Sequence, residues 1–169
     1  TPYEVSDVQN IVSILVDPEG KGLDDHWAKT GFALLVGVIL FALYKFNEKG
    51  EEASLYDVGM LISDPSQPID ELWNDMLFNK YGPLDANGEP TAHPNIAAPA
   101  MDMKNTPEEE RGSIISTARS FLTLYRDPIV AKNTKNSDFK IDDLMNFDQP
   151  VSLFLVVKPS DKNRLKPLI

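Results

Sequence analysis

The sequence predicts a mainly α-helical fold: several helices around one buried central helix, with a single C-terminal β-strand that belongs to an α/β domain outside the chain. Three observations carry this. Lys29-Thr-Gly-Phe-Ala-Leu-Leu-Val-Gly-Val-Ile-Leu-Phe-Ala-Leu-Tyr-Lys45 is apolar all round, as a helix at the centre of a core must be. On both sides of it, segments with apolar residues at helical spacing are punctuated by capping and breaking residues. Near the end, Val151-Ser-Leu-Phe-Leu-Val-Val157 is a nearly continuous apolar run with three valines, which reads as a strand buried on both faces.

In order along the chain, Thr1-Pro-Tyr-Glu4 reads as a capping box with proline at the first helical position. Val5, Val8, Val12 and Leu15 follow at helical spacing, and Asp17-Pro-Glu-Gly20 ends that helix in a turn. Asp24 and Asp25 sit where a helix N-terminus favours negative charge, the central helix follows, and Gly50 is its C-cap. Ser54-Leu-Tyr-Asp57 starts a helix that Asp64-Pro65 stops. Ile69, Leu72, Trp73, Met76 and Leu77 match the helical template without a miss. Residues 82–94, with Asn87-Gly88 and three prolines, form a loop, and a proline-interrupted helix spans about 95–104.

Thr106-Pro-Glu-Glu109 repeats the opening device, with Thr106 as N-cap of a helix running to about Arg126. Asp127-Pro128 starts a short helix toward Lys135, and one turn falls around residues 142–145. After the strand, Ser160-Asp-Lys-Asn163 starts a last helix. A lone buried strand cannot satisfy its backbone hydrogen bonds, so residues 149–169 read as the return into a larger α/β protein and residues 1–148 as the all-α domain.

The central stretch could instead be a membrane span. Fifteen uncharged residues separate Lys29 from Lys45, and they reach roughly 22 Å where a bilayer core needs about 30 Å. On length, the stretch belongs to a soluble core with no membrane contact. Absence of cysteine excludes disulfides and thiolate metal sites. Charge is unevenly placed: residues 1–110 hold 6 basic and 20 acidic side chains, net −14, and residues 111–169 hold 10 basic and 6 acidic, net +4. The first part repels nucleic-acid phosphates and the second can approach them.

No phosphate-binding loop G-x-x-x-x-G-K-[ST] occurs, so nothing in the chain proposes an ATP site. His26 and His93 have no ligand partner at i+3 or i+4. His26 reads as a helix-start residue and His93 as a solvated loop residue. The carboxylate pairs Asp24-Asp25, Glu108-Glu-Glu110 and Asp142-Asp143 read as helix N-terminal charge. A small all-α metal-dependent enzyme would need the groups around Asp24 and Asp142 to converge in space. In the helix from Gly112 to Tyr125, Ser113, Ser116, Thr117 and Ser120 lie opposite the apolar sector, with Arg111, Arg119 and Arg126 along one shoulder. Hydroxyls and arginines on an exposed face suit phosphates or an acidic partner segment. The competing reading is a solvated face, or small residues that let a neighbouring helix pack closely. Ser113, Ser116, Thr117, Arg119, Ser120 and Arg126 are the candidate partner-binding residues; no catalytic, cofactor or metal residue is assigned.

Tyr3-Glu-Val-Ser-Asp-Val-Gln-Asn10, Asp17-Pro-Glu-Gly20, His26-Trp27, the 31–44 core, Pro68-Ile-Asp-Glu-Leu-Trp73, Gly112-Ser-Ile-Ile-Ser-Thr-Ala118 and Leu124-Tyr-Arg-Asp-Pro128 together, in this order, resemble TraG-type coupling proteins. Those are the conjugative DNA-translocating ATPases of type IV secretion systems. The resemblance implies a hexameric parent with a RecA-like motor that uses ATP and magnesium, anchored at the bacterial inner membrane. This chain would be the all-α domain inserted into that motor on the cytoplasmic side, between the Walker A and Walker B strands, both outside the chain. It implies a role in receiving relaxosome or effector proteins, with at most weak single- or double-stranded DNA binding. A purely structural insertion is the bland alternative.

Overall fold

A computed structural model of the chain describes residues 2–168 and, at Ile141, the backbone alone. It contains eight α-helices: α1 (Glu4–Val16), α2 (His26–Asn47), α3 (Leu55–Leu61), α4 (Ile69–Leu77), α5 (Pro94–Asn105), α6 (Glu108–Phe121), α7 (Pro128–Asn133) and α8 (Ile141–Asn146). A 3-10 segment, Thr123–Arg126, extends α6, and two 3-10 turns, Pro159–Asp161 and Lys166–Leu168, lie near the end.

α2 is the hub. Residues 34 to 42 are all buried, and nine consecutive residues at about 100° each face every direction around the axis. α1, α3, α5 and α6 wrap it. The Asp25 side chain caps it by accepting from the Ala28 N–H at 2.9 Å. Its far end closes with Gly50 at φ +71°, while the amides of Gly50 and Glu51 donate to Asn47 and Phe46 carbonyls. The cap lies four residues before Lys29 and the helix runs two beyond Lys45, so its 22 residues span roughly 33 Å. By length and composition alone α2 reaches the dimensions of a membrane span, and the argument from shortness fails. Its burial among neighbouring helices is what identifies it as core.

Close approach is built into the crossings. A Cβ at Gly37 would lie 2.8 Å from Pro99 Cγ on α5, so only glycine fits there. Pro99 does not break α5, which runs unbroken from Pro94 to Asn105 although the proline removes one amide donor from it. α3 starts with the expected capping box between Ser54 and Asp57. α4 buries Leu72, Trp73 and Met76. The loop after it is clasped by the buried Asn79, whose Oδ1 accepts from the Tyr81 and His93 amides and whose Nδ2 donates to the Met76 carbonyl. Asp127 caps α7 through the Ile129 and Val130 amides.

The N-cap of α6 and the last helix are corrected. The Thr1 capping box lies outside the described residues, and the Glu4 carboxylate accepts from the Tyr44 hydroxyl at 2.7 Å. Thr106 does not cap α6: its hydroxyl donates back to the Asp102 carbonyl and closes α5. Residues 151–157 form no strand among the described residues, and the sheet that the expected strand would join lies outside them. The run is left open, with Phe154 82% and Val156 91% exposed. The last helix is replaced by turns around Pro159–Asp161. Beyond them the chain is tied back by Arg164 to Asp127 at 2.9 Å and by Lys166 to Glu19 at 3.2 Å, with Leu165 packed against the core.

Candidate partner-binding site

The six candidate residues lie along α6 and its 3-10 extension, but they do not act as one patch. From Ser113 to Arg126 they spread over roughly 20 Å. The hydroxyls of Ser113, Thr117 and Ser120 donate to carbonyls of their own helix, those of Glu109, Ser113 and Thr117. Their acceptor lone pairs remain available. Thr117 also turns its methyl toward α2, where a Cβ on Gly31 would meet it at 3.4 Å, so this residue serves helix packing. Ser113 and Ser116 are exposed and line an open depression with Trp27, Glu109 and Gly112.

Arg119 is committed elsewhere. Its Nε and one terminal nitrogen both donate to the Ile62 carbonyl, the Nε at 2.8 Å. Ile62 closes α3, so the guanidinium satisfies a carbonyl that the helix end leaves unpaired. Arg111 lies 3.5 Å from Asp70, which anchors the start of α6 toward α4. Arg126 is exposed and has no ion pair among the described residues. Of the two arginines assigned to partner binding, one is structural and one is open to a partner.

The carboxylate pairs resolve as helix starts: Asp25 caps α2, and Asp143 accepts from the Lys140 amide at 3.0 Å. Among the described residues no three His, Asp or Glu side chains converge as metal ligands would. His26 opens α2, edge-on to Trp27 and 3.5 Å from Glu110. His93 is not a solvated loop residue. Its Nδ1 accepts from the Asn95 amide and caps α5, and its Nε2 lies 3.5 Å from Glu4. It joins a cluster that includes Tyr44 stacked on Tyr81, ring centres 4.9 Å apart. Burial, then the Glu4 bond, pushes the Tyr44 hydroxyl up to about 12. Burial, then Glu48, does the same to Tyr81, also to about 12. The Tyr44 hydroxyl in turn holds Glu4 below the usual carboxylate range.

A further concavity had no counterpart in the sequence reading. A groove of about 390 Å³ opens between α2, α5 and the start of α6. Ala33, Leu34, Pro99, Met103, Pro107 and Ile114 supply its apolar lining. Asp102 and Glu110 stand in its wall, and no basic side chain among the described residues lines it.

Matching against protein families gives one model over residues 1–169, Type IV secretory system Conjugative DNA transfer. The chain belongs to this family. Two "Conjugal transfer protein TraG" sequences from Escherichia coli are 53% and 52% identical to it over all 169 residues. The chain spans about a quarter, 26%, of the length of each. No solved structure matches it significantly. Membership of the conjugative coupling family, expected from the collinear motifs, is therefore established.

Proposed function

We propose that residues 1–148 are the substrate-reception domain of a coupling protein whose remainder is an ATP- and magnesium-driven DNA translocase. In this reading the parent is a hexamer on the cytoplasmic face of the inner membrane, and the domain recruits relaxosome or effector proteins. One observation carries the proposal. A chain matched over its whole length to a conjugative-transfer family covers only a quarter of its relatives, and it leaves a bare apolar run at residues 151–157. Contiguous exposed apolar residues of that kind mark a surface that another element covers, which fits a strand added to a sheet elsewhere in the protein. In this reading residues 149–169 are the return into the motor. Burial of residues 34–42 supports a domain without membrane contact, and the net −14 of residues 1–110 favours protein partners over duplex DNA.

The test removes residues 1–148 from the full-length protein with a short linker in their place. ATP hydrolysis is expected to persist while relaxosome pull-down and conjugative transfer are lost. Retained recruitment with lost transfer would sink the proposal and favour a structural spacer. The 169-residue chain itself is expected to show no magnesium-dependent ATP hydrolysis.

A further inference from the structure

The groove between α2, α5 and α6 has a chemistry of its own. Its apolar lining includes Leu34, Met103 and Ile114, each at most 5% exposed and fixed by the core. Its 390 Å³ falls within the roughly 300–1,000 Å³ of small-ligand pockets. The close Gly37–Pro99 crossing holds α5 against α2 beside it. Among the described residues only two charged side chains line it, both carboxylates. Asp102 has no side-chain partner among the described residues, and Glu110 has only the 3.5 Å approach of His26. The nearby cations are drawn away: Lys104 reaches Asn74 at 2.6 Å, and Arg111 reaches Asp70. Glu108 and Glu109 add negative charge to the first turn of α6 without lining the groove.

An apolar floor under two carboxylates that no described lysine or arginine engages complements one kind of group, a long aliphatic stem ending in a cation. It repels a phosphodiester. We propose that this groove docks an arginine- or lysine-bearing segment of a partner polypeptide. The stem lies on Leu34, Met103 and Ile114, and the charged head is held by Asp102 and Glu110. An arginine fits best, since its planar fork meets a carboxylate with two parallel N–H donors. The inference deepens the recruitment reading, on which it rests, by giving the partner a chemistry.

The probe is a short fluorescein-labelled peptide alternating arginine with leucine and alanine, followed by anisotropy on the 169-residue chain. Asp102→Asn with Glu110→Gln is expected to weaken binding about tenfold, the loss of two exposed ion pairs. Ala33→Trp fills the groove from an exposed position without changing charge, and is expected to weaken binding at least as much. Glu51→Gln with Glu52→Gln, outside the groove, is expected to leave binding within about twofold, as a distant surface change does. Equal loss in that control pair, or no loss in Ala33→Trp, overturns the proposal, since the peptide would then be reading general acidity. Binding of a single-stranded oligonucleotide that Ala33→Trp abolishes overturns it too. The two readings fail separately. Peptide binding at the groove with conjugative transfer unchanged in Ala33→Trp counts against recruitment through this domain, while the groove assignment stands.

Discussion

Replacing Gly37 and Gly31 by alanine, one at a time, isolates what the α2–α5 crossing contributes to stability. Both glycines are buried inside α2, so each substitution gains the same local term, about 0.8–1 kcal/mol of helix propensity. They differ in what the new methyl meets. At Gly31 the nearest atoms are Phe121 Cε2 and Thr117 Cγ2, both 3.4 Å away, an ordinary contact. At Gly37 they are Pro99 Cγ at 2.8 Å, Pro99 Cβ at 3.1 Å and the Asn95 carbonyl oxygen at 3.3 Å. A pyrrolidine ring fixed in a helix cannot swing aside, so α5 must shift. Overpacking of this kind costs about 1–3 kcal/mol. Because the propensity gain cancels between the two variants, Gly37→Ala is expected to be less stable than Gly31→Ala by that amount. For a chain of this size the gap is roughly 2–12 °C in Tm. Urea denaturation followed by far-UV circular dichroism measures it directly. A Pro99→Ala change should recover part of the loss in the Gly37→Ala background, a coupling that a double-mutant cycle exposes. Equal stabilities for the two glycine variants, or strict additivity with Pro99→Ala, would refute the packing argument.

Arg119→Ala is expected to destabilise the chain by about 1–2 kcal/mol, because it strips the Ile62 carbonyl of a charged donor; Arg126→Ala should stay within about 0.5 kcal/mol and alter only partner or DNA binding, and a denaturation series on both variants checks the contrast. Phe154→Asp with Val156→Asp should leave unfolding unchanged, both side chains being more than 80% exposed, yet reduce self-association in sedimentation. On the alkaline side, the Tyr44 and Tyr81 hydroxyls have folded-state values raised from 10.0 to about 12, so their contribution is complete below pH 10 and is lost as pH rises toward 12. On the acid side, Glu4 is lowered from 4.5 by Tyr44, so its contribution is present above that value and is lost as pH falls through the folded one. Tyr44→Phe should flatten both limbs in a pH series of urea midpoints.

The helices were legible in the sequence because the forces that mark them are local. Ser54 and Asp57, or Asp127 before Pro128, lie within one turn of the amides they satisfy, and the apolar spacing of α4 is complete over nine residues. Misreadings begin where a partner is distant. The hydroxyl of Thr106 had two helices within reach and closed α5 rather than opening α6, a choice that Thr106-Pro-Glu-Glu109 does not encode. His93 looked solvated because Glu4 and Tyr44, which enclose it, are far away in the chain. Arg119 looked free for the same reason, its acceptor being the end of α3.

The groove was invisible because it is the space between three helices, set by their separation rather than by any motif. One class of signal does point to it. Glycine at 31 and 37 in α2 and proline at 99 in α5 each weaken the helix that contains them. A residue that opposes its own secondary structure is retained for what it permits between elements, and here each stands at a helix crossing. The sequence reading took the proline as an interruption and drew nothing from the two glycines. Taken as crossing points, they would have set α5 and α6 against α2, and the acidic residues 102 and 110 beside the resulting cleft.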